Sequence, residues 1–169
     1  MPKFADRDKS GGKPFRKESE TMDTIFETLQ QTAQRLNTTA DAANELIRGA
    51  NDRLAAIGAG VAYSSDNVRL GNEDHSRHDE SSDELVDRGY GMRVMSYGKI
   101  HGMWQLGVEL RHFQPSESGE PGEYDFVGAE ESPLLAADRE LRIRAASKLP
   151  EFLKEYTRHL EDLAGQLDD

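Results

Sequence analysis

Cysteine is missing from all 169 residues, which removes disulfides, thiolate metal ligands and a cysteine nucleophile together. Also missing is any run of about 18 apolar residues, the length a membrane-spanning helix needs. Residues Met1 to Lys17 carry no apolar stretch of the kind a secretion signal requires. These absences lead to the expectation of a soluble, cytoplasmic chain without a membrane partner. Positive charge is in deficit: the net charge is −11, which repels phosphate backbones and anionic lipid heads. Direct nucleic-acid binding is therefore not expected, and a protein partner fits better.

Catalytic signatures are absent too. There is no nucleophile elbow, phosphate-binding loop or zinc spacing. Gly58-x-Gly60 does not read as a nucleotide loop, because it follows a helical pattern instead of a strand and Tyr63 stands where a third glycine belongs. No cofactor is expected.

What is present begins with a repeat. Met22, Phe26, Leu29, Ala33, Leu36, Ala40, Ala43, Ile47, Ala50, Leu54 and Ile57 follow one another in steps of four and three, with no proline among them. A mean spacing of 3.5 residues puts them all on one stripe of an α-helix, as a coiled-coil strand requires. At about 1.5 Å per residue such a helix runs on the order of 50 Å, so it needs a partner along most of its length. Phe26, Leu29, Leu36, Ala40, Ala43, Ile47 and Leu54 are the candidate interaction seam. Ser19 or Thr21 offers an N-cap, and Gly58-Ala59-Gly60 supplies left-handed positions to end the helix. The run Asn37-Thr38-Thr39 is weak helix former in mid-helix.

Hydrophobic residues make up 36% and charged residues 31%, a polar but foldable balance that allows one core plus tails. Residues 1–19 read as a disordered basic tail, and 20–169 as a single α+β domain. Its expected parts are helix 22–57, an acidic mobile loop over 64–87, a small antiparallel β-hairpin or meander over 89–127, and a long C-terminal helix over 138–167. In the hairpin, Tyr90, Met92 and Val94 alternate on one side of Lys99-Ile100-His101-Gly102, and Trp104, Leu106, Val108 and Leu110 on the other. The alternation puts the Trp104 face toward the core. Asp138 or Ser132-Pro133 starts the last helix, whose stripe is Leu141, Ala145, Leu149, Leu153, Tyr156, Leu160, Leu163 and Leu167, with Pro150 inside it. The basic residues Arg139, Arg142, Arg144 and Lys148 are expected to pair internally.

Two histidines, His75 and His78, lie among carboxylates in the acidic loop and are candidate metal ligands. A loop without fixed backbone does not hold ligands to a metal's geometry, so a solvated polar loop is the favoured reading. The function expected is a non-enzymatic protein–protein interaction or oligomerisation module, an accessory or regulatory subunit that is a homo-oligomer or part of a hetero-complex. One alternative is an acidic inhibitor or nucleic-acid mimic built on the carboxylates from Glu73 to Asp87 and from Glu117 to Glu131. Another is a small enzyme using His112 or His159 with a carboxylate.

Overall fold

The computed structural model describes residues 14–74, 77–78, 85–87, 89–116 and 122–167. It is α+β, with a long N-terminal helix, an antiparallel four-stranded meander and a long C-terminal helix. The chain divides into two compact units, Met1–Thr38 and Thr39–Asp169. The division falls at the weak helix formers Thr38 and Thr39, inside a helix.

Helix α1 spans Pro14–Ile57. It starts before the expected cap residues because proline's fixed φ suits a first helical turn and nothing breaks the helix between Pro14 and Met22. Residues 14–19 are therefore helical, while residues 1–13 lie outside the described part. The helix ends at Gly58, whose φ of 66° is open to glycine at low cost and whose N–H donates to the Leu54 carbonyl at 3.2 Å.

In the second unit, strand β1 (Tyr63–Asp74) lies where a loop was expected. It pairs with β4 (Tyr90–Ile100), which pairs with β5 (Met103–Pro115), which pairs with β6 (Tyr124–Pro133). Irregularities between Ser64 and Arg69, and again before Gly71, break the alternation that would have announced β1. The first is held by Ser65, fully buried, whose Oγ accepts the N–H groups of Asn67 and Val68 at 3.2 and 2.9 Å. Two short strands, β2 (Arg77–His78) and β3 (Leu85–Asp87), form a separate ladder. The turn between β4 and β5 is His101-Gly102, both at positive φ, as a two-residue hairpin turn demands.

Register sorts the sheet into two faces. Met95 lies opposite Val108, and Tyr97 opposite Leu106, and these four join Val68 and Leu70 of β1 in one core. The same core takes in Ile47, Ala50 and Leu54 of α1 and Leu141, Ala145, Leu149, Phe152 and Tyr156 of α2 (Arg139–Leu167). Both helical stretches thus cover one face of the sheet. Trp104 packs against this core half-buried, its ring 5.6 Å from that of Tyr97, on the face its alternation indicated. Asp138 caps α2, its Oδ1 accepting the Leu141 N–H at 2.8 Å. Of the basic cluster, Arg144 pairs with Glu140 at 2.7 Å and also donates to the Leu70 carbonyl at 2.5 Å. Arg142 donates to the Ala137 carbonyl at 2.5 Å. Among the described residues no helix is long and apolar enough to cross a membrane.

Candidate interaction surface

The α1 repeat has two fates. In the second unit Ala40, Ala43, Ile47, Ala50 and Leu54 are buried, with Ile47 at 0% exposure. Ile47 and Leu54 belong to the core cluster with residues of the sheet and α2. The repeat alone does not separate the two cases, because a helix lying on a sheet and a coiled-coil strand need the same stripe.

In the first unit the stripe is bare. Phe26, Leu29 and Leu36 are 60%, 57% and 41% exposed, and Met22 and Ile25 beside them 50% and 47%. Ile25 falls outside the four-three repeat but lies three residues after Met22 and four before Leu29, so it widens the stripe. Threonines near it satisfy their hydroxyls within the helix: Thr28 donates to the Thr24 carbonyl at 2.9 Å and Thr32 to that of Thr28 at 2.8 Å. Few charges interrupt the surface, since from Met22 to Thr38 the ionisable residues are Asp23, Glu27 and Arg35.

The second unit has an apolar groove of its own. Between the buried stretch of α1 and α2 lies a cavity of about 580 Å³, lined by Leu46, Gly49 and Ile57 on one side and Leu149, Leu153 and Leu160 on the other. Leu46 and Ile57 are 58% and 70% exposed at its rim. The volume lies within the range of small-molecule sites, but the polar groups lining it, chiefly Glu45, Arg53 and Thr157, are spread along helices and do not converge on a point.

The sheet's other face is polar at one end and aromatic at the other. Arg111 donates to Glu109 at 2.6 Å and to Asp66 at 2.5 Å, and Ser64 donates to Glu109. Burial works against the Arg111 charge, but the two carboxylates outweigh it and raise its pKa above the ordinary value. Further along, Tyr90 stacks on Phe113 at 4.9 Å, with Tyr124 and Phe126 edge-on to them at 5.0 and 5.9 Å.

Beneath the helices, Tyr63 and buried Ser65 both donate to Glu155 of α2, and Tyr156 donates to the Val61 carbonyl at 2.9 Å. Burial first, and then the Glu155 carboxylate, hold the Tyr63 pKa above its ordinary value. Burial does the same for Tyr97 and Tyr156.

The two described candidate histidines, His112 and His159, do not converge. His112 lies opposite Gly91 on the sheet, whereas the His159 ring is tilted by 30° against that of Tyr63 with centroids 4.9 Å apart, and Tyr63 pairs with Tyr97. Gly91 and Tyr97 are six residues apart on β4, roughly 20 Å along a strand. Of the candidate metal ligands, His75 lies outside the described residues, and His78 sits on β2 with its backbone in register with Leu85. Among the described residues no three histidines, aspartates or glutamates cluster as a metal site would require. Glu117 and Glu120 also lie outside the described residues, while Glu73 pairs with Arg93, and Glu131 accepts a hydrogen bond from Ser96 at 2.6 Å. No family model, no curated protein and no solved structure matches the chain.

Proposed function

We propose that the chain is a non-enzymatic protein–protein interaction module, acting as an accessory subunit that engages its partner through the bare stripe of the first unit. The observation that carries this reading is the exposure of Met22, Ile25, Phe26, Leu29 and Leu36 on one helical stretch. Fully burying a Leu, Ile, Phe or Met side chain is worth about 1.5–3 kcal/mol, and a contiguous apolar strip that folding leaves in water marks a contact surface. A helical stripe of this kind is read by a complementary helix or groove through anchors three and four residues apart.

The test is the full chain carrying Leu29→Glu and Leu36→Glu. Both positions are exposed, so the sheet and its helices keep their circular dichroism and melting behaviour. Association in cells, measured by affinity purification and the mass of what co-elutes, falls at least tenfold. Undiminished co-elution with the variant contradicts the proposal.

A further inference from the structure

We infer that the outer edge of β6 takes up an extended, basic segment of a partner protein as an added antiparallel strand, a contact that uses the second unit alone. β6 is a terminal strand of the four-stranded sheet and pairs only with β5. Hydrogen bonds alternate in direction along an antiparallel strand, and their phase in β5 is fixed at both ends. The two-residue turn closes on the pair Ile100–Met103, the Leu106 N–H goes to Asn51 just past the end of β6, and the Ser116 N–H donates to the Glu123 carbonyl at 2.9 Å. Even-numbered residues of β5 therefore bond to β6, through Ser132, Glu130, Gly128 and Asp125. Ala129 and Glu131, and past the irregularity Phe126 and Tyr124, turn their N–H and C=O groups away from β5. Among the described residues no side chain bonds to the backbone from Phe126 to Glu131. The opposite edge is different: β1 is broken by two irregularities, and Arg144 donates to its Leu70 carbonyl.

Charge names the occupant. Glu123, Asp125, Glu130 and Glu131 lie on or beside the strand, and no lysine or arginine occurs between Gln114 and Pro133. A β6 strand from a second copy brings only further carboxylates, the means by which natural edges avoid pairing with themselves. A strand carrying lysine or arginine relieves the same repulsion. Toward the helices, Glu130 is hydrogen-bonded to β5, so an added strand meets it in the wide phase of the ladder, where side chains approach closest. Beside it lies a cavity of about 270 Å³ walled by Val108, Leu110 and Leu141. Of the charged residues lining it, Arg93 is paired with Glu73 and Glu131 takes the Ser96 hydroxyl, which leaves Glu130 and Asp138 for a cation. A lysine opposite Glu130 lays its methylene stem on the aliphatic walls and carries its ammonium to these two carboxylates.

The other face of β6 sets the second requirement. Phe126 and Tyr124 are exposed there, and residues of an added strand on that side lie against them and against Ala129. The partner segment therefore alternates, with a basic residue toward the helices and an apolar one toward Phe126. Backbone bonds supply the affinity of such a contact, and the Glu130 cavity and the Phe126 side supply its specificity. Antiparallel addition continues the direction of every pairing already in the sheet.

End-blocked peptides of about eight residues, long enough for a strand, test this on the full chain. One alternates lysine with valine, one lysine with proline and one glutamate with valine, and backbone NMR signals and amide exchange report binding. The inference expects saturable binding of the lysine–valine peptide, with exchange slowed at the Ala129 and Glu131 amides. The lysine–proline peptide keeps the charge but lacks the N–H groups that reach β6, and it should bind on the order of tenfold more weakly, as should the glutamate–valine peptide. Ala129→Pro removes an outward N–H that β5 does not use, and Glu130→Lys reverses the exposed charge. Each should weaken lysine–valine binding by a similar factor, and Glu130→Lys decides the matter if the proline variant does not fold. Equal binding of the two lysine peptides means charge attraction alone and overturns strand addition, as does binding that Glu130→Lys leaves unchanged. Binding of none of the peptides overturns it too, and leaves the carboxylates the task of keeping edges apart. Ala129 and Glu131 amides already protected in a wild-type dimer give the edge to a second copy and equally overturn the inference.

Discussion

Gly107 in β5 stands where no side chain fits. A Cβ there would come within 2.5 Å of Ile100 Cδ1, 2.7 Å of Ser96 Oγ and 3.1 Å of the Ser132 carbonyl oxygen. Ser96 is fully buried and donates to Glu131 at 2.6 Å, so any shift of its hydroxyl also strains that bond. Gly107→Ala should therefore lower stability by about 1–3 kcal/mol, the usual cost of overpacking, as read by denaturant unfolding. Asn51 on α1 is a second point of this kind. Its Oδ1 accepts the Leu106 N–H at 2.7 Å, and Leu106 lies one residue beyond Gly107, where the pairing with β6 ends. Asn51→Leu leaves that N–H without its acceptor and should cost about 1–3 kcal/mol. Equal melting temperatures for Asn51→Leu and the wild type would show that the bond adds nothing.

At the scale of the element, α1 carries both kinds of seam position, and one substitution type distinguishes them. Ile47→Glu places an unpaired carboxylate at a site with 0% exposure and should destabilise the second unit by several kcal/mol. Leu36→Glu, at 41% exposure, should leave its melting temperature within a degree or two of the wild type, in line with the small effects of surface changes. Equal effects on unfolding would mean that the stripe is one continuous core. The contrast also shows what was legible beforehand. The stripe of α1, the alternation around Trp104 and the Asp138 cap of α2 are local patterns, and each could be read from neighbouring residues. What covers a stripe is not local, so Ile47 and Leu29 looked alike. Strand β1 was hidden for a different reason: its apolar points are few, chiefly Val68 and Leu70, and its irregularities shift the period of two. In α2 the four-three count chose Leu153, whereas Phe152 is the side chain that reaches full burial, because a helix on a sheet presents a broader stripe than a coiled-coil seam. Of the candidate interaction surface, Phe26, Leu29 and Leu36 were readable; Ile25, off the repeat, was not.

Across the second unit, three tyrosines at the helix–sheet contact give its stability a pH dependence. Burial raises the pKa of Tyr63, Tyr97 and Tyr156 above the ordinary value of 10.0, aided by Glu155 for Tyr63 and by Tyr97 for Tyr156. The folded state holds these protons more tightly than the unfolded chain does. Their contribution is fully present below pH 10.0 and is lost as the pH rises through the higher folded values. Alkaline unfolding should coincide with the appearance of tyrosinate absorbance, and Tyr97→Phe should move the midpoint to higher pH. An unchanged midpoint in that variant would show that Tyr97 does not set the limit. For the protein as a whole, the central proposal is a division of labour within α1: positions from Ala40 onward are buried in the fold, and the exposed stripe from Met22 to Leu36 is the proposed contact. Amide hydrogen exchange, followed peptide by peptide in the full chain alone and in the complex that co-elutes with it, tests it most directly. The account predicts that exchange over 22–38 slows in the complex while 40–54 and the sheet stay as they were. Protection confined to α2 and the groove beside it, with 22–38 unchanged, would contradict it.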